Sequence, residues 1–332
     1  MIIELKESVQ KAQAEKLSIA YQALLFQENG KYILVTPFKQ KNITSEIESL
    51  AQRVTHTSSD IQLASKDFRA QKRTITIGEI TIGGNTQNTI VITGPCSVES
   101  EAQITACAEL CVKTGVKILR AGAFKPRTSP YSFQGLAEEG LQLLHKIRST
   151  FGLQIITEVK DSSHVHQVIE YADIIQVGAK AMYDQAILRA CAKTQKPVLI
   201  KRGFGSTLQE FVQAAEFVLS GGNPNVILCE RGIRTFETKT RFTLDLCGVS
   251  WLKENTNLPI IVDPSHAMGF AYGVSDLCRA AVAMGIDGVL IETHPNPATA
   301  QSDAEQQLTF EQFTALHKSL QPIAAAINYR IV

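Results

Sequence analysis

Cys96, His266, Glu292 and Asp303 offer one thiol, one imidazole and two carboxylates at the ends of short apolar runs or just beyond them. Cys96 closes TIVITGPC, His266 closes PIIVDPSH, Glu292 lies in GVLIETHP, and Asp303 stands in the segment that follows. Singly, each has an ordinary reading as a buried thiol, a core histidine or a helix-capping carboxylate. The spacing forms no compact motif such as paired CxxC. If the three runs lie side by side, the four side chains can meet at one divalent ion. Mixed sulfur, nitrogen and oxygen donors suit Mn, Fe, Co or Zn better than Mg or Ca.

Arg120, Lys125, Arg127, Lys180, Lys201, Arg202 and Arg231 form a second set, also at or past the ends of apolar runs. Taken one at a time, a Lys or Arg is usually solvated surface charge. Around one mouth, however, seven cations repel each other unless anions bind, which implies a substrate carrying phosphate and carboxylate. Arg offers a bidentate fork and Lys a point charge. Glu158 and Asp263 sit at run ends too, and read equally well as catalytic groups or as buried partners of the cations. His164 and His166 are two apart, so on a helix they face different ways and suit a solvated face. Cys107 and Cys111 share a helical face within an apolar stripe and read as core.

Eight apolar runs must position these groups: TIVITGPC, VKILRAGAF, LQIITEV, IIQVGA, KPVLIKRG, VILCERG, PIIVDPSH and GVLIETHP. Near-continuous Val, Ile and Leu imply strands covered on both faces, and amphipathic segments alternate with them. Eight such units predict a (β/α)8 TIM barrel over residues 89–332, with its active site at the C-terminal ends of the strands. A doubly wound open sheet is the alternative. Residues 1–66 read differently, as a small βαββαβ ferredoxin-like domain. Its strands are expected at IIEL, SIAYQALLF, KYILVTP and DIQLA, with helices up to about Lys16 and near SEIESLAQRV. Residues 67–88 read as a linker and a hairpin, RTITIGEITIGG, placed to cap the barrel's N-terminal end.

Bulk properties narrow the function. A formal charge of +1, with no run of Lys or Arg, leaves no footprint for nucleic acid or for an anionic membrane. No stretch approaches the roughly 20 apolar residues that span a bilayer, and MIIELKESVQ lacks the pattern of a secretory leader, so a cytoplasmic protein is expected. Seven scattered cysteines do not suit a disulfide framework and read as reduced thiols.

The strings GPCSVES, LRAGAFKPRTSPYSFQGL, KPVLIKRGF, ILCERGIRTFE, IVDPSHAMG and IETHPNP followed by SD resemble the type Iβ DAHP synthases over essentially the whole chain. The resemblance implies condensation of phosphoenolpyruvate with D-erythrose 4-phosphate, the first shikimate-pathway step. It implies Cys96, His266, Glu292 and Asp303 as metal ligands and Arg120, Lys125, Lys201 and Arg231 as phosphoenolpyruvate contacts. Lys125, Cys96 and His266 follow as the catalytic groups. Arg127, Thr128 and Ser129 of KPRTS match the aldose-phosphate site, and Lys180 a further phosphate contact. Lys180-Ala181 stands where the family carries Arg-Asn, and HAMGFAYG lacks the family's arginine. A homotetramer and an aromatic amino acid effector at the ferredoxin-like unit are family expectations. A synthase of the KDO 8-phosphate or amino-DAHP type and a non-catalytic regulatory homologue are the alternatives.

Overall fold

The first strand, IIEL, is apolar at three of its four positions, and the small N-terminal sheet is built around it with apolar contacts on both faces. The computed structural model describes residues 1–28, 30–125, 129 and 131–332. Strands β1 (Ile2–Leu5), β2 (Leu24–Glu28), β3 (Lys31–Val35) and β4 (Ala51–Thr55) pair antiparallel in the order β2-β3-β1-β4. Helices Lys11–Ala20 and Ser45–Leu50 occupy two of the connections. Ile3, Leu5 and Leu34 pack with Ala14, Leu17 and Ile47, whereas Ile2, Ile33 and Val35 join the apolar layer around the barrel. A two-residue side-chain period thus gives the sheet two buried faces.

Three details differ from the sequence expectation. The first helix runs on to Ala20, because Ala14, Leu17 and Tyr21 recur at helical spacing and are buried together. The second helix stops at Leu50, and Ala51–Thr55 supplies the fourth strand, with Ile3 opposite Val54. DIQLA is therefore no strand. The amides of Gln62, Leu63 and Ala64 donate instead to the Glu216 carboxylate of helix Leu208–Ser220, at 2.8, 3.1 and 2.8 Å.

The expected hairpin is present as β5 (Thr74–Ile77) and β6 (Ile80–Gly83), turning through Gly78 at φ +56°. Its Ile75, Ile77, Ile80 and Ile82 cluster with Ile90, Ile118, Ile156, Ile174, Leu199, Ile227, Ile261 and Leu290. These residues fill the strand-entry end of the barrel.

All eight expected barrel strands form: β7 (Asn88–Gly94), β8 (Ile118–Arg120), β9 (Gln154–Val159), β10 (Ile174–Val177), β11 (Val198–Lys201), β12 (Val226–Glu230), β13 (Ile260–Val262) and β14 (Gly288–Glu292). Each pairs in parallel with the next, and β14 pairs with β7 from Gly288↔Ile90 to Glu292↔Gly94. That closure rules out the open sheet. A short β15 (Arg330–Ile331) adds to the start of β7. Two residues beyond the aliphatic layer, the same inward positions carry Arg120, Glu158, Gln176, Lys201, Asp263 and Glu292, all buried. Strand geometry therefore delivers polar side chains to one end of the barrel. Among the described residues, no helix is long and apolar enough to cross a membrane.

Candidate active site

At the C-terminal ends of the strands, the thiol and the carboxylates converge. Cys96 lies just past β7, Glu292 ends β14, and Asp303 sits in the following loop with φ +48°. One ligand atom from each of the three lies within 4.8 Å of the others. The Cys96 thiol donates to Asp303 Oδ2 at 3.2 Å. His266, on the short helix Pro264–Met268, brings Nε2 to 3.6 Å from Glu292 Oε1 and 3.7 Å from Asp303 Oδ2. Its Nδ1 lies 2.8 Å from Asp263 Oδ2, so a carboxylate orients the ring from behind.

The electrostatics of this corner fit a divalent cation. Burial, reinforced by the Glu292 carboxylate, pushes the Cys96 thiol up to about 12. Burial opposes ionisation of Asp303, but His266, Arg241 and Lys125 outweigh it and hold the carboxyl below its usual range. Burial, the largest influence, lowers His266 against the neighbouring Asp263 and Glu292 carboxylates, which act to raise it. A soft sulfur, an imidazole nitrogen and two carboxylates are the donors a mixed-ligand metal site requires.

The opposite wall is cationic. Arg120, 2% exposed, forms an ion pair with Glu292, and its Nε donates to Gln176 Oε1 at 3.4 Å. Lys125 Nζ donates to the Cys96 carbonyl at 3.1 Å and lies 3.0 Å from its sulfur. Burial works against charge on Lys125, yet Cys96 and the carboxylates Glu158 and Glu292 more than offset it and raise its pKa. Lys201 Nζ donates to Asp263 Oδ2 at 2.6 Å. Arg231 differs. It is 4% exposed, no carboxylate lies within ion-pair distance among the described residues, and its guanidinium packs 4.2 Å from the Phe242 ring centroid. Burial, the largest influence, lowers its pKa, with the nearby Arg241 adding to the effect and Asp263 opposing it.

A cavity of about 110 Å³ joins the two walls, lined by Lys125, Glu158, Lys180, Lys201, Arg231, Arg241, His266 and Asp303 among others. A wider cavity of about 480 Å³ adjoins it beyond Arg241 and Asp303. Of the sequence-derived set, His266, Asp303, Lys125, Lys201 and Arg231 line this cavity with exposed Lys180 on its rim, while Cys96, Glu292 and Arg120 lie behind it, Cys96 against Asp303 and Arg120 against Glu292. Arg127 and Thr128 lie outside the described residues. Ser129 is half-buried, its hydroxyl accepting from the Tyr131 amide at 3.3 Å, and it does not line the cavity.

Arg202 does not belong to the ring of cations. Following inward-facing Lys201, it turns outward and binds Glu230 at 2.9 Å and Asp245 at 2.8 Å. Glu158 and Asp263 are bonded partners of the polar layer, Glu158 accepting from Gln176 Nε2 at 2.6 Å. His164 stacks on Phe124 at 4.4 Å, and Cys107 and Cys111 are core. Sequence reasoning missed Arg241, whose Nη1 donates to Gln306 at 2.6 Å and lies 3.4 Å from Asp303 Oδ1. It stands in the long segment after β12, where no strand end marks it. Gln176 was also missed, although a polar residue two beyond Ile174 in a buried strand was a usable signal.

The profile of the DAHP synthetase I family matches residues 30–328. A phospho-2-dehydro-3-deoxyheptonate aldolase of Thermotoga maritima is 42% identical over 291 residues, covering 87% of this chain and 86% of the relative. A 2-dehydro-3-deoxyphosphooctonate aldolase of Magnetococcus marinus is 33% identical over 269 residues, covering 76% and 92%. The crystal structure of the Thermotoga maritima phospho-2-dehydro-3-deoxyheptonate aldolase (DAHP synthase) superposes with a TM-score of 0.81 at 37% identity, covering 100% of this chain and 99% of that one. A truncated form of 3-deoxy-D-arabino-heptulosonate 7-phosphate synthase from Thermotoga maritima gives 0.77 at 39% identity, covering 82% and 100%. With the same closed barrel and a profile match over nearly its whole length, the chain belongs to the DAHP synthetase I family.

Proposed function

We propose that the chain condenses phosphoenolpyruvate with D-erythrose 4-phosphate, giving 3-deoxy-D-arabino-heptulosonate 7-phosphate and inorganic phosphate. The observation that carries this reading is the buried Arg231 guanidinium, which has no carboxylate partner among the described residues and shares a cavity with Lys201, Lys125 and the cluster of candidate ligands. A phosphate dianion supplies the counter-charge and acceptor oxygens that replace the water lost on burial. Arg120, in contact with Glu292 behind the cavity, and Lys125 suit the carboxylate of the same substrate.

The family is metal-dependent in general, and Cys96, His266, Glu292 and Asp303 fit a divalent ion of the Mn, Fe, Co or Zn kind. Such an ion, when bound, supplies Lewis acidity toward the aldehyde carbonyl. The remaining work falls to side chains. C3 of phosphoenolpyruvate forms a bond to the aldehyde carbon, water adds at C2, and the bond from C2 to the phosphate oxygen then breaks. Lys125, held charged by its neighbours, donates a proton to the developing alkoxide. Arg231 and Lys201 hold the phosphate through its departure. Arg127, Thr128 and Ser129 are assigned to the aldose phosphate.

Residues 1–66 are assigned as a regulatory unit for an aromatic amino acid, 67–88 as linker and capping hairpin, and 89–332 as the catalytic barrel. The truncated Thermotoga maritima relative, matched over its entire length by 82% of this chain, supports a separable catalytic part. A cytoplasmic homotetramer completes the proposal.

The test is an aldose panel. Metal-reconstituted protein is incubated with phosphoenolpyruvate and, separately, erythrose 4-phosphate, arabinose 5-phosphate and ribose 5-phosphate, and phosphate release is followed. Turnover fastest with erythrose 4-phosphate is expected. Turnover only with a longer aldose overturns the assignment.

A further inference from the structure

Two of the four candidate ligands, Cys96 and Asp303, sit on loops rather than on strands or helices. They are 207 positions apart in sequence, yet the Cys96 sulfur and Asp303 Oδ2 are 3.2 Å apart. Asp303 also adopts φ +48°, which costs a non-glycine residue free energy unless its surroundings hold it there. Something must fix one loop against the other.

Glu99 is placed to do this. One of its oxygens, Oε1, accepts from the Ser97 hydroxyl at 3.2 Å on its own loop and from the Gln301 amide at 2.9 Å on the other. Its Oε2 lies 3.4 Å from His294 Nε2. His294 Nδ1 accepts from the Asn296 amide, which leaves the ring proton on Nε2, facing the Glu99 carboxylate. The fork is shielded, with the Glu99 and His294 side chains 8% and 4% exposed. Beside it the hydroxyls of Ser97 and Ser302 meet at 2.7 Å, next to Asp303 in the chain. Gln307 Oε1 accepts from the Cys96 amide at 3.1 Å, and its Nε2 donates to the Ser302 carbonyl at 2.9 Å. Glu99 does not line the cavity, so any influence on the reaction passes through the residues it holds.

We propose that Glu99 is a positioning residue that sets the spacing of Cys96 and Asp303, and with it the affinity for the divalent ion. The inference rests on the metal reading above. A carboxylate in this role accepts hydrogen bonds from both loops at once. An amide that keeps its oxygen at the Oε1 position retains the bonds from Ser97 and Gln301 but turns its N–H group toward His294 Nε2, losing the carboxylate that faces the ring.

Cobalt(II) added to metal-free protein tests it, because the sulfur-to-cobalt charge-transfer absorption reports ligation by Cys96 and chelator competition gives the affinity. Wild type develops the band and Cys96→Ser does not. Glu99→Ala is expected to weaken cobalt binding about 10- to 100-fold, with Glu99→Gln and Ser302→Ala falling between it and wild type. Binding of phosphoenolpyruvate to the metal-free protein, followed by calorimetry, is expected to stay within about twofold, as befits a role confined to the ligand loops. Wild-type cobalt affinity and absorption in Glu99→Ala would overturn the inference, as would a parallel loss of phosphoenolpyruvate binding. If Glu99→Ala does not fold, the same readings on Glu99→Gln and Ser302→Ala decide the matter. A wild-type protein lacking any band that Cys96→Ser removes contradicts the metal reading, and this inference with it.

Discussion

Where the strands enter the barrel, Ile75, Ile77, Ile80 and Ile82 of the hairpin press on Ile90, Ile118, Ile156, Leu199 and their neighbours. Two residues further along the strands, the inward positions change to Arg120, Glu158, Gln176, Lys201, Asp263 and Glu292. One end is filled with hydrocarbon, and the other buries charge in a confined space. Buried charge is costly unless paired, and here most of it is paired, as in Lys201 with Asp263 and Arg120 with Glu292. Arg231 has no such carboxylate among the described residues, and it is there that the proposed phosphate would supply the pairing. The difference teaches that stability and chemistry are drawn from opposite ends of the same strands, so substitutions at the two ends should separate them.

The largest separation is expected at Arg231. Arg231→Met keeps bulk and removes charge, and should lower kcat/KM for phosphoenolpyruvate by about 10²- to 10³-fold, the loss typical of one transition-state donor. Thermal stability should not fall, because a buried cation without a carboxylate partner is itself a burden on the fold. Steady-state kinetics and a melting curve on one sample check both halves. A large drop in stability with little change in kcat/KM would erase the contrast.

Ile82→Ala at the filled end should do the reverse. Ile82 is fully buried against the barrel interior, and its truncation should cost about 2–5 kcal/mol in denaturant unfolding. The folded fraction should keep wild-type kcat. A kcat loss at temperatures where the variant is fully folded would mean that the hairpin reaches the chemistry.

A smaller effect is expected outside the barrel, where Glu216 grips the segment after the N-terminal sheet. Burial, the dominant influence, raises its pKa above the ordinary 4.5 despite the three amides it accepts from. A carboxyl raised in the folded state binds more protons than in the unfolded one, so stability from this group declines as pH climbs from about 4.5 through the folded-state pKa. Glu216→Gln removes that decline. Urea midpoints across this range should show wild type losing ground to the variant as pH rises, by on the order of 1 kcal/mol. A difference independent of pH would contradict the assignment.

Much of this arrangement was legible in the sequence. Unbroken Val, Ile and Leu runs mark strands buried on both faces, which is why all eight were found, and groups at their ends had to share one rim. Period two also orders neighbours: Leu199 and Lys201 face inward, so Arg202 faces out, and the sequence expectation of seven converging cations overlooked this alternation. Arg241 and Gln306 were not legible, because they reach the site from long connections whose path is fixed by tertiary contacts. In the N-terminal unit AQRV was read as the end of a helix and DIQLA as the strand, whereas Ala51–Thr55 is the strand. The choice was decided from outside the segment, by the Glu216 carboxylate taking up the amides of DIQLA.

The central claim is that the charged end carries metal-dependent condensation, and chelation tests it most directly. Wild type and Cys96→Ala are stripped with chelator, supplied with phosphoenolpyruvate and erythrose 4-phosphate, and followed for phosphate release before and after manganese(II) is restored. The account predicts silence from both proteins in chelator and recovery on restoring the metal in wild type alone. Sustained turnover by Cys96→Ala in chelator would contradict it.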